Sequence, residues 1–420
     1  MICFLQILTV SLQNLTPKTP IVLIPGFVDS QIEATFDHNK YPIPSRPRHC
    51  SSSGSHAWKF FKVFDWLPPK LSCTVNLLEL HYDNNTGEIV DTKNVNVSVI
   101  DFGGIDGINK LVLLPGGFQI IDIYGEYIRQ LTQLHGYVVR KDLFGAPYDW
   151  RLGAAQRDSY WNDMQNLIEN AYEINNGEKV VVIAHSQGVN LFTEFLSNHM
   201  TAAWRKKYIK RVAFLAPAYA GFGQALMYIW QGGIPILQSY HSEKLAFAMR
   251  SLPGFMTLFP NQVIFGDKPI FYDPQGKPIT AKTLPDYFIK NGIFVGQNRK
   301  IFEASLKYLK QVPTFIDVET LIYYNSNVPT LNGMNFSVPN YLPKEIIYAP
   351  GDGKVPAAGP QYVCKKWANN TLVNCVDSND ATDHGDFLIK PEIAKNVINW
   401  ALHDDTYDFS FADLKNVHKI

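Results

Sequence analysis

A serine at position 186 lies in a pattern that is typical of a catalytic nucleophile. Residues 180–184 are apolar and mostly β-branched, and they run directly into His185 and Ser186. Small residues, Ala184 and Gly188, stand two positions on either side of Ser186. This matches the strand-turn-helix motif G-x-S-x-G with Ala in place of the first Gly, where the strained turn requires small neighbours. The alternative is a serine that caps an ordinary helix.

An acid and a base follow Ser186 in the order that ester cleavage by an α/β-hydrolase requires, which is serine, acid and histidine. Asp352 follows the apolar residues 346–349, and His384 precedes the last predicted helix. His384 would accept the proton of Ser186, and Asp352 would fix the imidazole tautomer. The rival acids, which do not follow a strand, are Asp377, Asp380, Asp383 and Asp386. The rival base His185 would leave the turn in another direction, so we interpret it as structural.

A second turn provides a candidate oxyanion hole. Residues 20–24 predict a strand that ends at Pro25 and Gly26. In α/β-hydrolases such a turn supplies one backbone donor, and the residue after the nucleophile supplies the other. We therefore predict that the N–H groups of Phe27 and Gln187 stabilise the oxyanion. An ordinary strand end with a glycine turn is the alternative.

The segments around these residues alternate between strands and amphipathic helices. Helices are predicted at 123–134, 161–171, 191–199 and 393–400, and strands at 137–139 and 211–216. Such alternation predicts a parallel sheet with helices on its faces. The predicted fold class is therefore α/β, an α/β-hydrolase fold with a mostly parallel central sheet in a catalytic domain at 17–420.

Two insertions are predicted to interrupt this domain. Segment 41–75 is predicted to bind membranes, because lysines interrupt its cluster of aromatic side chains. The candidates for insertion into lipid are Trp58, Phe61, Phe64 and Trp66. The alternative is that these rings pack against the core. Segment 221–343 lacks strand-helix alternation and is predicted to form a cap or lid.

Composition narrows the functional classes. Lys plus Arg and Asp plus Glu both number 38, so nothing favours nucleic acid as a partner. Residues 1–16 are predicted to be a signal peptide, although they lack a basic start and an A-x-A site. Possible glycosylation sites, which agree with the secretory pathway, are Asn84, Asn96, Asn335 and Asn369.

Four of the five cysteines form two pairs that are close in sequence. These pairs are Cys50 with Cys73 and Cys364 with Cys375. None of the cysteines forms the C-x-x-C spacing of a zinc site, so we predict two disulfides in an oxidising compartment and no metal. No cofactor is predicted.

These motifs together resemble the family of lecithin:cholesterol acyltransferase and lysosomal phospholipase A, over residues 20–400. The most specific match is GAPYDWR at 145–151, and further matches are AHSQG at 184–188, GDGKV at 351–355 and the Asp383-His384 loop. Cys50 and Cys73 resemble the disulfide that closes the family's membrane-binding subdomain. Phe27 stands where the lysosomal enzymes carry an Asp, so the resemblance does not imply an acidic pH optimum.

The resemblance implies a phospholipase A or O-acyltransferase. Its expected partners are a lipid acyl donor, a hydroxyl acceptor, and a phospholipid membrane or lipoprotein surface. The expected location is secreted or a lumen like that of a lysosome or vacuole. Asp149 and Arg151 are interpreted as an internal ion pair that braces the site. An esterase for soluble substrates and a catalytically inactive lipid-binding protein are the alternatives.

Overall fold

The computed structural model describes residues 18–37, 50, 55–60, 63–109, 121–232, 243–336 and 343–402. The strands are β1 Ile21–Ile24, β2 Ile32–Asp37, β3 Ser55–Lys59, β4 Leu80–Tyr82, β5 Ile89–Asp91, β6 Val95–Val99, β7 Leu143–Gly145, β8 Val180–His185, β9 Ile209–Leu215, β10 Pro269–Tyr272, β11 Pro278–Thr280, β12 Glu319–Tyr324, β13 Val328–Asn335, β14 Glu345–Gly351 and β15 Val373–Asp377. The predicted signal peptide lies outside the described residues.

The helices are α1 Leu71–Leu78, α2 Asp106–Asn109, α3 Gly125–Arg129, α4 Asp158–Ile174, α5 Gln187–Glu194, α6 Ala202–Tyr208, α7 Gly223–Gln231, α8 Glu243–Met249, α9 Pro253–Met256, α10 Gln262–Phe265, α11 Leu284–Lys290, α12 Gly296–Ser305, α13 Ala358–Trp367, α14 Asp386–Ile389 and α15 Pro391–Leu402. Within the described ranges, no helix is long and apolar enough to cross a membrane.

A parallel sheet of six described strands forms the centre of the molecule, in the order β15-β12-β9-β8-β1-β7. Alternate residues of β8 point into two different cores. Val180 and Val182 belong to one core, and Val181 and Ile183 belong to the other. Both faces of the strand are therefore buried, which explains its unbroken apolar sequence. The predicted α/β fold is confirmed.

The prediction of a strand at 137–139 is wrong. The strand of this region is β7, which starts at Leu143, and Val139 makes only an isolated bridge with Leu143. Arg140, between them, has a φ of 64°. The chain therefore turns directly after the apolar residues and enters the sheet only beyond that turn.

The structure also contradicts the predicted end of the cap at 343. Strand β12 lies within the predicted range 221–343, yet it pairs in parallel with β9 of the central sheet. Strand β15, which was not predicted, pairs with its other edge. The segment between β9 and β12 contributes α7 to α12 and the hairpin of β10 and β11. This hairpin joins β13 and β14 in a separate sheet of four strands.

The described part of segment 41–75 contributes β3 to a small antiparallel sheet of three strands. Strand β3 pairs with β2, and β2 pairs with β6 on its other side. The disulfide between Cys50 and Cys73 closes this region, and a second one joins Cys364 to Cys375. Both predicted disulfides are confirmed.

The burial of Trp66 contradicts its predicted place at a lipid interface. Its side chain is 4% exposed, and its indole N–H donates to the carbonyl of Phe60 at 2.5 Å. The Trp66 ring therefore packs in the core, which was the alternative to insertion into lipid. The side chains of Trp58 and Phe64, and all of Phe61, lie outside the described residues, so their insertion stays a prediction.

The predicted sites of glycosylation differ in exposure. Asn84, Asn96 and Asn369 are exposed. Asn335 is half-buried on β13, and its amide donates to Glu345 Oε2 at 2.6 Å. Glycosylation at all four positions stays a prediction.

Arg151 joins several elements beneath the site, as the predicted internal ion pair requires. Its side chain is fully buried, and its Nη2 lies 2.6 Å from both Asp149 Oδ2 and Asp91 Oδ1. Its Nη1 donates to the carbonyl of Leu78 at 3.2 Å. Because a buried charge without partners is costly, this arginine holds α1 and β5 against the GAPYDWR loop.

Glu79 follows α1 and titrates at an unusual pH. Burial disfavours its charged form and raises its pKa from 4.5 to about 7. The folded protein therefore holds this proton more tightly than the unfolded chain does. The resulting stabilisation is present below about pH 4.5 and is lost as the pH rises through about 7.

We predict that Glu79→Gln stabilises the protein at pH 8 by up to about 3 kcal/mol and has little effect at pH 4.5. The amide removes the cost of a buried charge, which exists only where Glu79 is ionised. The measurement is the free energy of unfolding in urea at both pH values. Glu88→Gln, at an exposed position, is the matched control. An equal effect of Glu79→Gln at both pH values would contradict the prediction.

Candidate active site

Ser186 occupies a strained turn between β8 and α5. Its φ is 54° and its ψ is −123°, a conformation that costs a residue with a side chain about 1–3 kcal/mol. Its N–H donates to the carbonyl of Leu215 in β9 at 2.9 Å. The strand-turn-helix context that the motif requires is therefore present.

Two glycines allow the turns around Ser186 to approach each other. A Cβ on Gly188 would lie 2.2 Å from the carbonyl oxygen of Pro25, which is too close for any side chain. A Cβ on Gly26 would lie 2.9 Å from His185 Nδ1 and 3.1 Å from Ser186 Cβ. A side chain at either position would clash with these neighbours. The two glycines therefore allow the predicted oxyanion turn to pack against Ser186.

The structure brings Ser186, His384 and Asp352 into hydrogen-bond distance. His384 Nε2 lies 2.9 Å from Ser186 Oγ, and His384 Nδ1 lies 2.7 Å from Asp352 Oδ2. A proton can therefore pass from the serine hydroxyl to the imidazole, while the carboxylate holds the other nitrogen protonated. This is the arrangement of an acyl-transferring triad.

Backbone contacts fix Asp352 and His384 relative to each other. Asp352 Oδ1 accepts the N–H groups of Lys354 at 3.0 Å and Val355 at 2.7 Å. The N–H of His384 donates to the carbonyl of Asp352 at 2.8 Å. The acid directly follows a strand, as predicted, and that strand is β14 of the small sheet.

His185 supports the triad without touching the nucleophile's hydroxyl. Its Nε2 lies 3.1 Å from the carbonyl oxygen of His384, and the two ring centroids are 4.6 Å apart. Burial lowers the pKa of His185, because desolvation outweighs the opposing effect of Asp29. A neutral ring that braces His384 agrees with the structural role predicted for it.

A cavity of about 180 Å³ includes Ser186 and His384 in its lining. Its apolar walls come from the turn after β1 and from the segment beyond β9, and they are Phe27, Phe222, Tyr228 and Leu258. The Phe27 ring packs edge-on against Phe255, with centroids 4.7 Å apart. Such walls suit an acyl chain better than a polar substrate.

The sequence prediction missed polar residues at this cavity. Asp29 lines it, and Asp29 Oδ2 accepts the N–H of Gly26 at 3.1 Å, which closes the turn that follows β1. Gln224 and Lys354 also line it. Lys354 lies within the GDGKV match, and Asp29 follows closely after the turn at Gly26 and Phe27, so proximity to these segments was the available signal. Gln224 has no such signal in the sequence.

We predict that Ser186→Ala lowers the rate of ester cleavage by about 10⁴-fold or more, because the nucleophile is lost. His384→Ala should lower it similarly, and the double variant should be little worse than either single one. The measurement is kcat on a p-nitrophenyl ester, with an unchanged melting temperature as the test of folding. Ser159→Ala, at an exposed serine, is the control. Losses that multiply in the double variant would show that the two residues act separately.

Known proteins similar to this chain are acyltransferases and phospholipases by name, which agrees with the arrangement of Ser186, His384 and Asp352. The family model described as lecithin:cholesterol acyltransferase matches residues 56–291. The lysosomal phospholipase A and acyltransferase of Bos taurus is 27% identical over 364 residues, which cover 83% of each chain. The phosphatidylcholine-sterol acyltransferase of Gallus gallus is 23% identical over 365 residues, which cover 85% of this chain and 83% of the relative.

A plant protein that is named for lecithin-cholesterol acyltransferase is also similar to this chain. Lecithin-cholesterol acyltransferase-like 1 of Arabidopsis thaliana is 26% identical over 298 residues, which cover 66% of each chain. The matched family range includes both the GAPYDWR motif and Ser186. The family model matches more than half of the residues of this chain, and the chain therefore belongs to the lecithin:cholesterol acyltransferase family.

Proposed function

We propose that this protein cleaves an acyl ester of a glycerophospholipid and transfers the acyl group to water or to a lipophilic hydroxyl. The observation that carries the proposal is the hydrogen-bonded set of Ser186, His384 and Asp352 beside an apolar cavity. Family membership and relatives named as phospholipases and acyltransferases support it. An esterase for soluble substrates is not favoured, because such a substrate needs no aromatic cavity.

In the proposed reaction, Ser186 Oγ attacks the ester carbonyl while His384 Nε2 accepts the hydroxyl proton. Asp352 stabilises the resulting imidazolium. The N–H groups of Phe27 and Gln187 are proposed to bind the oxyanion. The tetrahedral intermediate collapses, and His384 returns the proton to the departing oxygen of the lysophospholipid. The acyl group is then an ester of Ser186.

The second half of the reaction repeats these steps with a new hydroxyl. His384 removes a proton from water or from an alcohol, whose oxygen attacks the acyl-enzyme. The collapse restores Ser186 and releases a fatty acid or a new ester. The apolar walls of the cavity favour a lipophilic alcohol over water, because they concentrate the alcohol next to the acyl-enzyme.

The proposed location is the lumen of the secretory pathway, a lysosome-like compartment or the extracellular space. The two disulfides require oxidising conditions to form and persist. Lysosomal relatives are among the similar proteins. The proposed partner surface is a phospholipid membrane or a lipoprotein.

We predict that the purified protein releases fatty acid and lysophospholipid from phosphatidylcholine liposomes, and that an added lipophilic alcohol becomes acylated. The products are measured by mass spectrometry of the lipid extract. The Ser186→Ala variant is the control and should form neither product. Cleavage of a soluble ester without any cleavage of phosphatidylcholine would contradict the proposed function.

We also predict that Trp58→Ser combined with Phe61→Ser lowers the rate on liposomes about tenfold or more and changes the rate on a soluble p-nitrophenyl ester little. Each buried aromatic ring contributes about 1.5–3 kcal/mol, so even partial insertion would strengthen membrane binding. Trp66 is left unchanged because it is buried. Tyr348→Ser replaces an aromatic side chain that is 60% exposed on β14 and serves as the control. Equal losses on both substrates would mean that the two rings are part of the core.

A further inference from the structure

The active-site cavity contains a positive charge that the triad does not use. Lys354 lines the cavity together with Ser186 and His384, and it is the one Lys or Arg among the described residues that do so. Apart from Ser186 and His384, the other cavity residues with polar groups are Asp29, Gln224 and Tyr228. A half-buried ammonium is costly without an anionic partner, so an anionic group of the substrate would stabilise it.

Hydrogen bonds hold the backbone of the turn that carries Lys354, so its side chain starts from a defined point. Its N–H donates to Asp352 Oδ1 at 3.0 Å. The preceding residue, Gly353, has a φ of 85° and donates its N–H to Thr330 Oγ1 at 2.8 Å. The turn that positions the triad acid therefore also positions this lysine.

The ammonium of Lys354 keeps most of its hydrogen-bonding capacity. Lys354 Nζ donates to Gln224 Oε1 at 3.3 Å, and it forms no ion pair within 4 Å in the described part of the chain. An ammonium carries three donors. Burial lowers the pKa of Lys354, and the charges of Asp352 and Asp383 oppose this shift. An anion bound in the cavity would oppose it further.

The chemistry of the substrate supplies such an anion. In a glycerophospholipid, only two glycerol carbons and one oxygen separate the sn-2 ester oxygen from phosphorus. A lipid whose carbonyl carbon lies at Ser186 Oγ must therefore place its phosphodiester in the same cavity or at its mouth. A lysine ammonium binds phosphate as a compact point charge.

We propose that Lys354 binds the phosphodiester of the acyl donor and so selects phospholipids over neutral glycerides. This inference rests on the proposed function. Asp29 forms no hydrogen bond or ion pair with Lys354 within the described residues, and its Oδ2 accepts the N–H of Gly26 at 3.1 Å. Gln224 holds the ammonium from the side of α7.

The test compares two donors with the same acyl chains in the same detergent micelles, phosphatidylcholine and diacylglycerol. Lys354→Met removes the charge and keeps the length of the side chain. We expect this variant to lower the ratio of kcat/KM for phosphatidylcholine to that for diacylglycerol by about 10- to 100-fold, mainly through KM. Lys354→Arg should restore most of this ratio. Lys366→Met, at an exposed position on α13, is the control and should leave the ratio within about twofold.

Three results would overturn the proposal. An equal loss on both donors would make Lys354 a structural element of the acid turn. An unchanged ratio would mean that it does not bind the phosphate. If added oleate inhibits the wild-type enzyme but not Lys354→Met, and the ratio of kcat/KM for the two donors is unchanged, then Lys354 binds the carboxylate of the released fatty acid and not the phosphodiester. A wild-type enzyme that cleaves diacylglycerol and not phosphatidylcholine would overturn the proposed function itself.

Discussion

The structure depends on the strained backbone of Ser186. A positive φ at a residue with a side chain is unfavourable, and the surrounding sheet has to stabilise it. Strand β8 does so because it is buried on both faces, and the N–H of Ser186 is held by Leu215 of the neighbouring strand. The turn then exposes the hydroxyl to the cavity and starts α5. Small residues around it are a consequence of this geometry, since Gly188 lies against the carbonyl of Pro25.

The acid and the base reach Ser186 from a different part of the molecule. Asp352 follows β14 of the small sheet, and the N–H of His384 is bonded to the carbonyl of Asp352. His185, next to the nucleophile, contacts the carbonyl of His384. The triad is therefore joined through main-chain as well as side-chain contacts. Such double support keeps the imidazole oriented when the substrate enters.

The errors of sequence interpretation have identifiable physical causes. Strand β12 was missed because it begins with Glu319 and Thr320 and contains tyrosines, so it lacks the aliphatic signal of β8. Its burial comes from its neighbours β9 and β15, which are distant in sequence. Trp66 was placed at a surface because an aromatic cluster between lysines fits a lipid interface as well as a core. Only the contact of its indole with Phe60 distinguishes the two.

The sequence by itself determined the chemistry of this protein. The strained turn at Ser186 is a local pattern, because its backbone geometry depends on a few neighbouring residues, and the order of serine, acid and histidine can be read along the chain without any contact between them. The tertiary structure alone decided which sheet carries Asp352, where the central sheet ends, and that Lys354 shares a cavity with Ser186. These properties depend on strand pairings and side-chain contacts between separate elements of the chain, and no local pattern encodes them.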